Sequence, residues 1–175
     1  MRERILSCSA EKPVDTNASP SAYGWCFQVG AGITLMLDNI KEFKSLKMEG
    51  ASDDIKISLD SGKIYAQAKS VIKIGDQSSA STKLKDALRA LSHDTKNGDV
   101  VSLIYITNIA NPLSSKIASA FQYDRTYEFS VLPDDAQKKI RDLVTGKGSN
   151  GSCHSPALQA LNMLICQALF VGNIA

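Results

Sequence analysis

Between Glu49 and Lys69 the chain carries side chains of the types that hydrolyse phosphodiesters: Glu49, the pair Asp53-Asp54, then Gln67 and Lys69. Hard divalent cations such as magnesium take oxygen ligands, often a carboxylate or two completed by water and substrate phosphate. A metal so held polarises the phosphoryl oxygen and makes bound water a better nucleophile. Asp54 and Gln67 could each offer a side-chain oxygen, and the Ala68 carbonyl a third. Lys69 stands two residues after Gln67, so on a strand both point to one side. Its ammonium could steady the attacking hydroxide or the charge that develops on phosphate. Glu49 is a candidate for a second metal or an outer position. Asp53 is expected to point away from Asp54 if the strand has already begun. The plainer reading is a solvated hairpin with a surface lysine. Gln67 is the more unusual feature, since a buried amide in an otherwise apolar strand must find partners.

The stretch itself reads as a hairpin. From Asp54 to Leu59, apolar Ile55, Ile57 and Leu59 alternate with Asp54, Lys56 and Ser58, the period of a half-buried strand. Asp60-Ser61-Gly62 is a turn, and Lys63 to Ser70 is the return strand, with Tyr65, Gln67 and Lys69 on one face and Ile64, Ala66 and Ala68 on the other. Ser45 to Glu49 could form a further short strand before the break at Gly50.

Around the hairpin, Ser21 to Phe43 reads as a long helix burying Cys26, Gly30, Ile33, Leu37 and Ile40, with Trp25 and Phe27 assigned to the core. Thr82 to Asp94 reads as a helix burying Leu84, Leu88 and Leu91. Val100 to Thr107 is a nearly continuous β-branched run suited to a strand covered on both faces. Arg125 to Val131 alternates as a strand. Pro133 to Val144 has proline in its first turn, then Asp134 and Asp135 at the positive helix end. Ser114 to Phe121 is a weaker helix, and Ser155-Pro156 opens a last apolar helix reaching about Phe170. Residues 75–81 and 146–152 are polar loops, and GKGSNGS lacks Walker spacing. The order predicts an α/β fold with a central mixed sheet flanked by helices and at least one parallel pair.

Length and composition set limits. A chain of 175 residues with net charge +2 can bury one core, and any nucleic-acid contact must come from a local basic surface. Cys8, Cys26, Cys153 and Cys166 are scattered, as are His93 and His154, which argues against zinc and against a disulfide framework. The histidines read as incidental and the cysteines as reduced thiols of a cytoplasmic protein. Residues 1–20 read as a flexible arm and 21–175 as the folded domain. The N-terminus lacks the apolar core of a secretory signal, and Ala157 to Val171 is too short and too polar to span a membrane.

The order helix, Glu, Asp-x(12)-Gln-x-Lys, helix, apolar strand resembles the PD-(D/E)XK restriction-endonuclease-like superfamily. More narrowly, it is similar to the N-terminal double-stranded DNA endonuclease domain of antiphage effectors of CBASS type and of related defence ATPases. Gly24 and Phe27-Gln28, Glu49-Gly50, Asp53-Asp54, Gln67-Ala68-Lys69 and Ile106-Thr107-Asn108 carry the likeness, over about residues 20–135. It implies a restriction-endonuclease-like core and Mg²⁺- or Mn²⁺-dependent cleavage of DNA. Asp54 then matches the metal-binding acid, and Gln67 stands where most of the superfamily has Asp or Glu. Lys69 matches the catalytic lysine, and Glu49 a less regular acidic position. Lys83, Lys85 and Arg89 could hold the DNA backbone, or simply form a solvated face. Members of this family carry a C-terminal sensor that the last 40 residues cannot hold, which points to an excised domain, possible homo-oligomerisation, or regulation from elsewhere. Two rivals stand: an inactive nucleic-acid- or protein-binding module on the same fold, suggested by the Gln67 exchange, and an interaction domain using Leu158, Leu161, Leu164, Ile165 and Leu169.

Overall fold

The structure is a computed structural model that describes residues 19–50, 53–72, 78–94, 98–109, 111–113, 125–145 and 161–165. It is an α/β fold: one mixed sheet with helices on both faces. The elements run α1 (Ser19–Asp38), β1 (Phe43–Met48), β2 (Ile55–Leu59), β3 (Lys63–Lys69), α2 (Ala80–Asp94), β4 (Val100–Thr107), β5 (Arg125–Glu128), α3 (Asp134–Thr145) and β6 (Leu161–Ile165). The strand order is β1-β2-β3-β4-β6-β5. β1, β2 and β3 pair antiparallel, whereas β3-β4 and β4-β6 are parallel. A parallel neighbour needs a crossover, and α2 supplies it between β3 and β4.

Alternation along the central strands divides the core in two. Ile55, Ile57 and Leu59 of β2, Ile64, Ala66 and Ala68 of β3, and Ile104 and Ile106 of β4 pack under α1. On the other face Tyr65, Leu103 and Tyr105 pack with Leu84, Leu88 and Leu91 of α2 and with Ala136 and Ile140 of α3. The expected hairpin, the α2 face and the helix after Pro133 are all present. β4 is buried from Leu103 to Thr107, and its start is open, with Val101 at 46% exposure.

Besides the end of α1, which falls at Asp38 and leaves Phe43 to open β1 rather than close the helix, three expectations need correction. The buried stripe of α1 is Phe27, Ala31 and Leu35, not the stripe through Cys26, Ile33, Leu37 and Ile40; Trp25 and Leu37 are 44% and 57% exposed, and Cys26 is exposed. α1 carries no charge before Asp38, so hydrophobic periodicity has no polar face against which to set its phase. Close approach selects the face: Gly30, Ala31 and Gly32 are buried, and a Cβ at Gly32 would lie 3.0 Å from Met48 Sδ on β1. Second, the strand from Arg125 stops at Glu128, and Phe129–Val131 winds into a 3-10 turn. Third, Leu161–Ile165, expected within an apolar helix, is strand β6, paired on one edge with β4 and on the other with β5. A short apolar run suits either state, and the open edge of β4 offers it a full ladder of hydrogen-bonding partners. Ser19 and Pro20, expected in the flexible arm, open α1; residues 1–18, the helix from Ser114, the connector 146–152 and His154 lie outside the described residues. No helix among those described is long and apolar enough to cross a membrane.

The β2–β3 turn depends on Gly62. Its φ is +145°, and a Cβ there would meet the Asp99 carbonyl oxygen at 2.5 Å. That carbonyl also accepts a hydrogen bond from the Lys63 amide at 2.8 Å, and the Lys63 ammonium pairs with the Asp99 carboxylate. The ion pair raises the Lys63 pKa and lowers that of Asp99. Gly62→Ala is expected to cost about 1–3 kcal/mol, since no L side chain suits this backbone; urea unfolding followed by circular dichroism measures it.

Candidate active site

The register of β2 on β3 sets the site. Ile55 pairs with Ala66 and Lys56 with Tyr65, so the next position on each strand brings Asp54 opposite Gln67. The Asp54 carboxylate reaches across and accepts two hydrogen bonds on Oδ2: from the Ala68 amide at 3.0 Å and from Lys69 Nζ at 2.9 Å. Both bonds fall on one oxygen, and among the described residues Oδ1 carries none. Gln67 is buried, 4% exposed, and Asp54 and Lys69 are partly shielded. A carboxylate that is half withdrawn from water and held by a charge-assisted bond is fixed in orientation.

A cleft of about 470 Å³ opens beside this pair, lined by Gly50, Asp53, Asp54, Gln67, Lys69 and, from α2, by Asp86, Arg89, Ala90 and His93. The expected trio Asp54, Gln67 and Lys69 is therefore gathered at one place. Arg89 joins it. Lys83 and Lys85 do not line the cleft: Lys83 Nζ donates to the Ser70 carbonyl at 2.7 Å and ties the start of α2 to the end of β3. Glu49 is exposed and also stands outside the cleft. Its backbone is left-handed, with φ +53°, which ends the alternation of β1 just after Met48.

Asp53 was expected to face away, yet it is buried and lines the cleft. Regular strand geometry begins only at Ile55, and two residues earlier, at Asp53, alternation no longer sets the side chain. The β1–β2 connection instead closes through Glu49 N–H to Asp54 O at 2.8 Å and Gly50 N–H to Asp53 O at 2.7 Å. The Asp53 carboxylate lies so close over Gly50 that any Cβ at position 50 would collide with it. Glycine leaves room for this acid where it lies; a side chain at position 50 would require the carboxylate to shift.

Asn108 lies just past the end of β4 at Thr107. It is 1% exposed and acts as a clamp. Its Oδ1 accepts the Val71 amide at 2.8 Å, and its Nδ2 donates to the Val71 carbonyl at 2.7 Å and to the Tyr23 hydroxyl at 3.2 Å. The side-chain amide thus stands in for a strand neighbour where the β3–β4 ladder ends, two residues beyond Lys69. His93, incidental by its sequence surroundings, lines the cleft because α2 docks beside β3. The one sequence signal was spacing: Asp86, Ala90 and His93 lie at i, i+4 and i+7 on a single helical stripe.

The donor set suits a hard cation. The cleft offers carboxylate oxygens from Asp53 and Asp54 and the amide of Gln67, with Asp54 Oδ1 available. Among the described residues no three His, Cys, Asp or Glu side chains gather as a metal-binding group, so water or substrate oxygens would complete the shell, as is usual for magnesium. No protein-family model matches the chain, and no curated protein or solved structure matches it either.

Asn108→Ala is expected to strand the Val71 N–H and C=O groups and lower stability by about 1–3 kcal/mol per buried group left unpaired. Urea unfolding would give the loss. Amide exchange at Ala68 to Val71 should quicken more than exchange in α3.

Proposed function

We propose that this chain is a metal-dependent DNA endonuclease on a restriction-endonuclease-like core. The observation that carries the reading is the convergence of Asp53, Asp54, Gln67 and Lys69 on one cleft, with Lys69 Nζ 2.9 Å from Asp54. In this reading Asp54 and Gln67 hold Mg²⁺ or Mn²⁺ with help from Asp53, which takes the place that Glu49 was expected to fill. The metal, when bound, supplies Lewis-acid polarisation of phosphate. Lys69 holds Asp54 in place and presents positive charge where negative charge grows. The Arg89 guanidinium, which has no ion-pair partner among the described residues, offers two parallel N–H bonds to a phosphate. The resemblance to antiphage effectors suggests the setting: a cytoplasmic defence nuclease acting on double-stranded DNA and governed by a sensor or by self-association.

One observation favours the rival reading of an inactive binding module. Lys69 already neutralises Asp54, and Gln67 brings no charge, so the cleft has less negative charge for a dication than a pair of ligating acids would give. Calorimetric titration with Mg²⁺ and Mn²⁺ separates the two readings, because the module would bind neither.

The nuclease reading predicts that wild type nicks or linearises supercoiled plasmid with Mg²⁺ or Mn²⁺ and not with chelator. Lys69→Ala and Asp54→Ala should each lower the rate by about 100-fold or more. Equal rates in all three proteins would remove the assignment. Arg89→Ala should weaken duplex binding and reduce the slope of log affinity against log salt by about 1, read by fluorescence anisotropy in Ca²⁺.

A further inference from the structure

We infer that His93 donates the proton to the oxygen that leaves the scissile phosphodiester; this rests on the nuclease reading above. Two walls flank the cleft. The sheet wall carries Asp53, Asp54, Gln67 and Lys69, and the α2 wall carries Asp86, Arg89 and His93. Hydrolysis asks for three things: a held nucleophile, charge stabilisation at phosphorus and a proton for the departing alkoxide. The sheet wall meets the first two. It is poorly suited to the third. Ionised carboxylates only accept, the Gln67 amide does not release a proton, and Lys69 Nζ is engaged with Asp54.

The α2 wall is different. Arg89 stays charged and cannot give up a proton. Imidazole is the side-chain type that exchanges a proton near neutral pH. His93 is exposed at the cleft rather than packed in the core, and among the described residues it makes no hydrogen bond or ion pair. The groups that line the cleft with it are Asp53 and Asp54 from the approach to β2, Gln67 and Lys69 from β3, and Asp86 and Arg89 from α2 itself. A phosphate gripped by Arg89 would lie between the two walls. Its nucleophile would then stand on the sheet side and its leaving oxygen toward His93.

The step balances as follows. A water oxygen forms the new bond to phosphorus, and the bond from phosphorus to the sugar oxygen breaks with its electron pair. The imidazolium of His93 passes its proton to that sugar oxygen, giving an alcohol. The attacking water releases one proton to solvent, which later restores the imidazolium. Phosphodiester and water are thereby converted to phosphomonoester and alcohol.

Sulfur at the leaving position tests this directly, because a thiolate departs without a proton. Short duplexes with a single linkage bearing sulfur at the 3′ or the 5′ bridging position would be compared with the all-oxygen duplex. On the oxygen linkage His93→Ala should slow cleavage by about 100-fold. On the sulfur linkage that breaks at P–S it should cut within a few-fold of wild type, with duplex affinity in Ca²⁺ and the urea midpoint unchanged. An equal loss on both linkages, or full activity on oxygen, overturns the proton-donor role and leaves the nuclease reading standing. A wild type that cuts neither linkage overturns both. His93→Gln, which keeps size and hydrogen bonding, should behave as the alanine variant; recovery with glutamine would show a positioning role and overturn the proposal.

Discussion

The parallel pairing of β3 with β4 governs the rest of the structure. Lys63 to Lys69 runs beside Val100 to Thr107 in one register, and a parallel pair cannot be joined by a tight turn. The chain must leave β3, cross one face of the sheet as α2 and return. That crossover buries Leu84, Leu88 and Leu91 on Tyr65, Leu103 and Tyr105. With β2 on one edge of β3 and α1 on the far face, residues Ile64 to Ala68 are buried on every side. In such a strand a polar residue survives only at the end, where the ladder opens. Gln67 and Lys69 are at that end.

The same constraint explains where the polar contacts collect. β3 and β4 finish together, at Lys69 and Thr107, and their last backbone groups lack strand partners. Asn108 serves Val71, Lys83 serves the Ser70 carbonyl, and Asp54 serves the Ala68 amide. Each bond satisfies a group that would be costly to leave bare. Together they hold the carboxyl ends of the central strands rigid, which is where open α/β sheets form their clefts. Tyr105, across from Gln67 in the register, stays a neutral core phenol: burial raises its pKa far beyond the physiological range, with Thr107 drawing it only partly back. It packs in the core between the sheet and α2.

Charge in the cleft is arranged by element. The sheet side contributes acids and a lysine already matched to one of them; the helix side contributes Asp86, Arg89 and His93. A phosphate entering this space would meet the Lys69–Asp54 pair on one side and the donors of Arg89 and His93 on the other. Lys83 and Lys85 share α2 with Arg89, yet only Arg89 reaches the cleft, because helical rotation gives each position its own azimuth.

Much of this was legible in the residues alone. Period-two alternation is strict in Ile55 to Leu59 and in Lys63 to Lys69, so the hairpin, its two faces and the union of Asp54, Gln67 and Lys69 followed from spacing. So did the buried stripe of α2 and the start of α3 just after Pro133, where polar and apolar positions contrast sharply. Elsewhere local pattern was silent or ambiguous. α1 is apolar nearly all round, and only the small residues pressed against β1 decided which side is buried. Leu161–Ile165 took the extended state because β4 had an edge to fill, a long-range demand that no local window contains. Asp53 entered the cleft and Glu49 left it because turn geometry, not strand alternation, orients them. His93 joined the site only when α2 docked. Sequence by itself determined which residues share a face of one element, since that is a matter of local period. Tertiary structure decided which faces meet, since that depends on close approach and on satisfying backbone groups far apart in the chain.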